Sequence, residues 1–394
     1  MVFNSISTMM ISKHDRVIFL KEFPLLLVMG VLLCILVNCS KSVQKESAVD
    51  TPGDRYVSGM QQLEQNELEK AETNFERAIK LEKKSPYGYT GMAFLELSRS
   101  QYKKALKYVD KALKYDREFV DAYTARGRII TVRKRGNKWF EEALESLKSA
   151  LSLDPENQRV LFYMGECYLK AQRYSEALDC YSRARGKEGA FTEKAGEKHE
   201  IVSKIITLSP ASEKGGYIVL DDKIDRSDVC ILLMEELSLR ELLRQYRPVL
   251  SNLIYKNDYT LRDPDEKTPP DLVSHEVKSS IIEIIQLRIP GLDVLPDGYF
   301  YPDKLITRAQ FAMVLQGIMV LLKDDESLST KYIGTESRFP DVPCDYYAFN
   351  AITLCVEEGI MDVNPEDRLF HPGGTISGVE ALHILLTLEN VIGT

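Results

Sequence analysis

The sequence predicts an all-α fold built from two kinds of helical repeat. The first observation is a unit, about 34 residues long, that recurs between positions 54 and 188. The second is that the C-terminal half aligns with itself, without a gap, when Asp271 is placed on Asp341. Both repeats place apolar residues three or four positions apart, which is the spacing of amphipathic helices. A chain of 394 residues is long enough for two or three domains of this kind.

The composition disfavours several classes of function. A net charge of -8 argues against a nucleic-acid partner, which requires a basic surface. No CxxC pair occurs, and no histidine stands at metal-ligand spacing from a cysteine, so we predict neither a metal site nor a cofactor. Most of the seven cysteines are predicted to be small buried side chains; they lie at positions 34, 39, 167, 180, 230, 344 and 355.

The N-terminal segment is typical of an exported protein. Residues 23–37, FPLLLVMGVLLCILV, carry no charge. A membrane-spanning helix needs about 20 such residues, whereas a signal peptide needs fewer. The segment then ends at Cys39, and a polar run with the composition of a flexible tether, residues 39–53, follows at once.

The residues Leu36-Val37-Asn38-Cys39 resemble the lipobox of bacterial lipoproteins, although Asn38 replaces the usual small residue. The resemblance implies that residues 1–38 are a cleaved signal peptide and that Cys39 carries the lipid, such as palmitate, that anchors the protein. Ser40 favours the outer membrane by analogy with that family. An uncleaved signal anchor is the alternative. Both interpretations place the body of the protein outside the cytoplasm, facing the periplasm or the cell surface.

The first repeat carries pairs of alanines seven positions apart. They are Ala71 and Ala78, Ala105 and Ala112, Ala143 and Ala150, and Ala177 and Ala184. The first and last steps between units are equal, and a basic insert at 133–138 lengthens the middle one. A small residue lies upstream in each unit, at Gly59, Ala93, Gly127 and Gly165. We expect these small residues to face the alanines of the next helix, and large residues to fill the seam: Phe75, Val109, Leu147 and Tyr181.

This pattern resembles the tetratricopeptide repeat, with about four copies over residues 54–188. The resemblance implies a solenoid of helical hairpins whose concave face binds a protein client. Tyrosines on that face would supply rigid contact area; the candidates are Tyr89, Tyr123, Tyr163 and Tyr168. The alternative is that these rings only pack the seam. Cys167 and Cys180 lie on the two helices of the last unit, either as a disulfide or as buried thiols.

The second repeat pairs Asp271 with Asp341, Phe300 with Phe370 and Ile306 with Ile376. A weaker copy begins at Gly215 and matches when Tyr217 is placed on Tyr299. Each copy is predicted to form a helix, a turn rich in Asp, Gly and Pro, a short extended segment and a second helix. We expect an aspartate to cap the first helix, and Thr307, Asp225 or Ser377 to cap the second.

The stretches DGYFYPDKLITRAQFA and FPDVPCDYYAFNAITLCVEEGIM resemble the S-layer homology domain. We place three degenerate copies at about 190–240, 269–323 and 337–390, with an insertion at 241–268, within a region of 190–394. The resemblance implies that the copies pack about a pseudo-threefold axis, and that grooves between them bind a cell-wall polysaccharide.

The resemblance assigns glycan contact to a few residues. Arg308, with Arg226 as its equivalent in the first copy, would bind an anionic sugar group bidentately, and Thr307 belongs to the same motif. Gly378 replaces the arginine in the third copy, so that groove is expected to lack the contact. The other candidates are Tyr347, which would stack on a sugar ring, and the aspartates Asp271 and Asp341. The alternative is structural, with aspartate as a cap and arginine as a link between copies.

The sequence therefore predicts a non-catalytic lipoprotein of the cell envelope, acting as a tether or scaffold. The helical repeats would bind a protein partner, and the C-terminal copies would bind cell-wall polysaccharide or a polymer associated with peptidoglycan. The alternative is an assembly factor resembling pilotins, in which the C-terminal copies dock a protein. No GxSxG, HExxH, P-loop or GxGxxG motif is present in a suitable setting, so we predict neither an enzyme nor a small-molecule substrate.

Overall fold

The computed structural model describes residues 50–186, 188–255 and 268–393. These residues form helices and loops, together with two isolated antiparallel bridges, Asp225 to Leu305 and Thr307 to Thr375. Within the described ranges no helix is both long and apolar enough to cross a membrane. The predicted signal peptide, the lipid site at Cys39 and most of the tether lie outside those ranges. The chain divides at Ile129 and Ile130 into two compact units.

The first unit consists of stacked helical hairpins. The helices are α1 (Pro52–Glu64), α2 (Leu68–Leu81), α3 (Pro86–Ser98) and α4 (Tyr102–Tyr115), and α5 (Val120–Arg133) begins the next hairpin. The turn within each hairpin passes through one residue of positive φ, Asn66 at 59° and Ser100 at 57°. The interval between these two residues equals that between Ala71 and Ala105, so the backbone repeats with the same period as the sequence.

The seam residues pack as the sequence predicts, although their partners differ. The paired alanines and the large seam residues of all four tetratricopeptide-like repeats are fully buried. A Cβ added at Gly59 would lie 2.3 Å from the Phe75 ring, and one at Gly165 would lie 2.7 Å from the Tyr181 ring. The nearest neighbours of these glycines are therefore aromatic rings, where the sequence favours alanines. The glycines make room for the aromatic ring of the next helix, since a ring projects further across the seam than a methyl group.

The second unit begins with further repeat helices. They are α6 (Trp139–Leu153), α7 (Gln158–Lys170) and α8 (Tyr174–Arg185). Helix α6 ends directly before Asp154-Pro155, as expected of a residue that cannot continue a helix. Asn157 caps α7, its side chain accepting a hydrogen bond from the Val160 N–H at 3.2 Å. Helix α9 (Thr192–Leu208) packs along α8.

The three C-terminal copies contribute the remaining α-helices of the described residues. They are α10 (Glu213–Ile218), α11 (Arg226–Ile231), α12 (Leu239–Tyr246), α13 (Pro248–Ile254), α14 (Lys278–Leu287), α15 (Arg308–Lys323), α16 (Phe349–Glu357) and α17 (Gly378–Gly393). Helices α12 and α13 occupy the predicted insertion. One apolar cluster runs through all three copies, from Ile218 to Ile392. The copies therefore share a single core, and we call them together the ring.

Backbone hydrogen bonds close the ring in the expected pseudo-threefold manner. The Ile306 N–H donates to the Ile224 carbonyl at 3.2 Å, and the Arg308 N–H donates to the Gly374 carbonyl at 2.8 Å. The Ile224 N–H then donates to the Ile376 carbonyl at 3.0 Å, which joins the first copy to the third. The second helix of each copy is capped as predicted, by Asp225, Thr307 or Ser377.

Helix α9 belongs to both parts of the second unit. In the alignment that places Tyr217 on Tyr299, its buried Val202 and Ile205 match Ile284 and Leu287 of α14. Helix α9 is therefore the first helix of the first copy. Ile205 packs with Val219 and Leu382 of the ring, whereas Val202 packs with the repeat helices. The repeats and the ring thus share one helix.

Candidate functional site

Arg226 links the first copy to the second. Its guanidinium donates to the backbone carbonyls of Phe300 at 3.0 Å, Gly291 at 2.7 Å and Asp293 at 2.7 Å. The group also lies 4.4 Å from the centre of the Phe300 ring. The residue is only 3% exposed, and burial lowers its pKa from the usual value. Three carbonyl acceptors and an aromatic face offset the cost of removing this charge from water.

Arg308 repeats this arrangement between the second copy and the third. It donates to the carbonyls of Phe370 at 2.8 Å and Asp362 at 2.7 Å, and it forms an ion pair with Glu380. Its charge lies 4.8 Å from the centre of the Phe370 ring. The expectation that Arg226 and Arg308 bind a sugar directly does not agree with this geometry, because all three nitrogens of each guanidinium already have a partner within the protein. Both arginines instead link one copy to the next, which is the structural alternative stated above.

Asp271 and Asp341 hold the turns that these arginines contact. The Asp271 carboxylate accepts the N–H groups of Phe300 at 3.1 Å and Tyr301 at 2.6 Å. Asp341 accepts those of Phe370 at 3.1 Å and His371 at 2.7 Å. Tyr301 and His371 have positive φ, 56° and 57°, a conformation that needs such support. The expected helix cap is therefore wrong: the aspartate caps the turn that follows the helix.

Of the remaining glycan candidates, Tyr347 is exposed, whereas Thr307 is used as a helix cap. Tyr347 is 64% exposed, and its ring lies 4.6 Å from that of Tyr346, so an open aromatic surface is present in the third copy. Thr307, in contrast, uses its hydroxyl to accept the Gln310 N–H at 3.2 Å as the cap of α15.

Gly378 occupies the arginine position of the third copy for a steric reason. A Cβ at this position would lie 1.8 Å from the Ile218 carbonyl oxygen. The Gly378 N–H instead donates to the Asp221 carbonyl at 2.9 Å, which brings α17 against the first copy. The junction between the third and first copies is thus built without an arginine link.

A cleft of about 970 Å³ opens beside this junction, between α9 and the N-terminal part of α17. One side carries basic residues from α8 and α9: Arg185, Lys198, His199 and Lys204. The loop before α11 and helix α17 add acidic residues: Asp221, Asp222 and Glu380. Apolar side chains of the cluster around Ile205 also line it: Ile201, Leu208, Val219, Leu220 and Val379.

Two groups in the cleft have shifted pKa values. Removal from water raises the pKa of the Asp221 carboxyl, the neighbouring charges of Asp222 and Asp225 raise it further, and Lys170 lowers it. Removal from water lowers the pKa of His199, and the charge of Arg185 adds to this effect. Sequence reasoning did not identify this cleft, because its charged residues occupy no repeated motif position and come together only when α9 packs against the ring.

The four tyrosines predicted to bind a protein client are mostly packed. Tyr89 and Tyr163 are 9% and 8% exposed, and the Tyr89 hydroxyl donates to the Lys83 carbonyl at 3.1 Å. Tyr123 and Tyr168 are half-buried, and the Tyr168 ring lies 5.8 Å from that of Phe140. Tyr89 and Tyr163 are thus buried by packing, whereas part of the Tyr123 and Tyr168 side chains stays accessible to a protein client.

Cys167 and Cys180 are buried free thiols and form no disulfide with each other. Burial raises the pKa of both, to about 12 for Cys180, which keeps the thiols protonated and unreactive at neutral pH.

Comparison with known proteins identifies both repeats. The tetratricopeptide repeat model matches residues 136–190, and the S-layer homology domain model matches residues 295–312 and 338–382. No curated protein sequence matches the chain. These findings agree with the repeat periods of the sequence and with the helical hairpins and the ring.

Similar solved structures include a tetratricopeptide protein. A tetratricopeptide protein of Thermus thermophilus has 17% identity over 51% of this chain and 99% of its own, with a TM-score of 0.35. PilF of Pseudomonas aeruginosa has 17% identity over 50% and 92%, with a TM-score of 0.31. Yeast Tom70 has 14% identity over 40% and 41%, with a TM-score of 0.30. Their low identities and TM-scores support no conclusion about function. The chain thus carries a tetratricopeptide repeat region and, C-terminal to it, an S-layer homology domain.

Proposed function

We propose that this protein is a non-catalytic tether of the cell envelope. The S-layer homology domain points to the envelope or cell surface, and the two families together are typical of scaffolds that bind proteins and cell walls. In this proposal a lipid on Cys39 holds the chain on a membrane, the outer membrane being the favoured one. The repeats bind a protein client, and the ring binds a cell-wall polymer. Attachments on one chain raise one another's effective concentration.

The observation that carries the proposal is the sharing of α9. Ile205 of this helix packs in the ring, while Val202 and Ala195 pack with the repeat helices α7 and α8. The wall-binding module and the last repeats are therefore joined through one helix, which contributes side chains to an apolar cluster on each side. A tether under load benefits from such a joint, because force on one module passes to the other through packed side chains.

Binding to purified cell-wall sacculi tests the proposal. Residues 50–394 should be retained on sacculi in a pull-down at physiological salt, and removal of accessory polymers from the sacculi identifies which polymer is bound. Variants at Arg226 and Arg308 do not suit this test, because they also remove the links that hold the ring together. Absence of retention on both kinds of sacculi would contradict the tether.

One observation favours the second candidate, an assembly factor whose ring docks a protein. Arg226 and Arg308 bind backbone carbonyls, so neither guanidinium is free for an anionic sugar. Crosslinking in cells distinguishes the candidates. A photoreactive residue at Tyr347 should capture wall fragments if the protein is a tether, and a discrete protein partner if it is an assembly factor.

A further inference from the structure

The cleft between α9 and α17 carries opposite charges on different elements. Arg185, Lys198 and Lys204 come from α8 and α9, with Glu200 offsetting one of these charges, and Asp221 and Asp222 come from the loop before α11. Among the described residues of this cleft, none of these three cations or two aspartates forms an ion pair within 4.0 Å. Charges that are brought together in this way, and that form no close ion pair within the protein, are available to a ligand.

The cleft also has room and apolar surface for a ligand. Its volume of about 970 Å³ lies at the upper end of the range for small-molecule sites. Ile201, Leu208 and Val379 line it between the charged groups. A ligand that fits must therefore carry both signs of charge and some aliphatic surface.

We propose that this cleft binds a short peptide that carries both a free amine and free carboxylates. The carboxylates pair with Arg185, Lys198 and Lys204, and the amine pairs with Asp221 and Asp222. A uniformly anionic sugar is disfavoured, since the two aspartates repel it. The inference rests on the proposed wall attachment and deepens it: the recognised part of the wall is its peptide, because wall peptides carry amines and carboxylates on one short chain.

Titration calorimetry on residues 50–394 tests the inference directly. The probes are the tripeptide L-Ala-γ-D-Glu-meso-diaminopimelate, the same peptide acetylated on its amines, and a di-uronic acid as a uniformly anionic sugar. We expect saturable binding of the free tripeptide and affinity about tenfold weaker for the acetylated form. Absence of saturable binding, or equal affinity for the di-uronic acid, would overturn the inference.

Charge variants locate the site. Lys198→Glu with Lys204→Glu should weaken tripeptide binding about tenfold or more, and Asp221→Asn with Asp222→Asn should remove the preference for the free amine. The matched control, Lys107→Glu with Lys148→Glu, makes the same change of net charge at positions outside the cleft. The wild type and all variants should melt cooperatively. Equal weakening by the control pair would refute the assignment to the cleft.

Failure of this inference and failure of the proposed function give different results. Retention on sacculi without tripeptide binding refutes the peptide site and leaves the tether in place. Tripeptide binding without retention on sacculi supports the site and refutes attachment to the intact wall.

Discussion

At the residue scale, Arg226 and Arg308 act within the fold. A guanidinium presents several donors in a rigid fork, and in Arg226 those donors meet three carbonyls of the neighbouring copy. A lysine has one nitrogen and cannot reproduce this geometry. The same side chain that binds anions at a surface thus becomes a link when a backbone turn lies within reach.

Replacing Arg226 should destabilise the ring. Arg226→Ala leaves three carbonyls without their donors and removes a buried side chain, so we expect a loss of about 3 kcal/mol or more in the free energy of unfolding. Arg226→Lys should recover only part of it. Urea unfolding followed by circular dichroism measures the change.

Arg338 provides the control for this experiment. It forms a surface ion pair with Glu357 and is half exposed, so Arg338→Ala should cost less than about 1 kcal/mol. An Arg226→Ala protein as stable as the Arg338→Ala protein would contradict the proposed link.

Asp228 should make stability depend on pH. Burial, with repulsion from Asp225, raises its pKa to about 6, above the unfolded value of roughly 3.9. The folded state therefore holds the proton more tightly, and stability falls as pH rises from about 4 to 6. Asp228→Asn keeps an oxygen to accept the Asp225 N–H, and it should stabilise the protein by about 1–2 kcal/mol at pH 7.

The pH profile distinguishes this effect from a general gain in stability. The advantage of Asp228→Asn should disappear below about pH 4, where both side chains are neutral. Urea unfolding between pH 4 and 7 measures it, with Asp345→Asn as the exposed control. A constant difference across this range would contradict the assignment.

At the element scale, the N-terminus of α17 decides how the ring closes. Helices α11 and α15 begin with an arginine that reaches across to a turn, whereas α17 begins with Gly378, against the first copy. The two kinds of junction follow from local sterics: α10 runs as a short helix where the other copies have a turn. The loss of a motif residue in the third copy therefore reflects a different neighbour.

Gly378→Ala should destabilise the protein by about 1–3 kcal/mol, because its Cβ would meet the Ile218 carbonyl oxygen at 1.8 Å. Gly378→Arg, which restores the motif residue, should cost at least as much. The matched control is Gly373→Ala, where a Cβ meets no atom within 4 Å. Thermal melting of the three variants measures these changes. A higher melting temperature for Gly378→Arg than for the wild type would contradict this account.

At the scale of the whole molecule, α9 couples the last repeats of the second unit to the ring. Ile205 is fully buried with Val219 and Leu382, and its neighbour one turn earlier, Val202, packs among the repeat helices. Because α9 packs against both modules, it cannot move with one of them without losing contacts to the other. Opening one module therefore exposes apolar surface of the other.

A cavity at this joint should loosen both modules. Ile205→Ala should cost about 2–4 kcal/mol and raise amide hydrogen exchange in both α8 and α17. Val109→Ala makes a smaller cavity at a fully buried position of the first unit and should raise exchange in α4 and its neighbour α3. Faster exchange confined to α17 in the Ile205→Ala protein would show that the modules open independently.

The sequence by itself determined the helical class, the two repeat periods, the cap of the second helix in each copy and the identity of the buried seam residues. Each of these follows from spacing along the chain, because residues at helical intervals share a face and caps act within three residues. The partners of Gly59, Arg226 and Asp271 were decided only by the tertiary structure, since those partners lie on another helix or another copy.

The cleft beside α17 was likewise decided by the fold. Lys198 and Asp221 lie on different elements, and no recognisable motif connects them in the sequence. Burial of Ile205 against the ring places both around one cavity, and burial of this kind is non-directional, so a sequence pattern does not specify which surface groups it brings together.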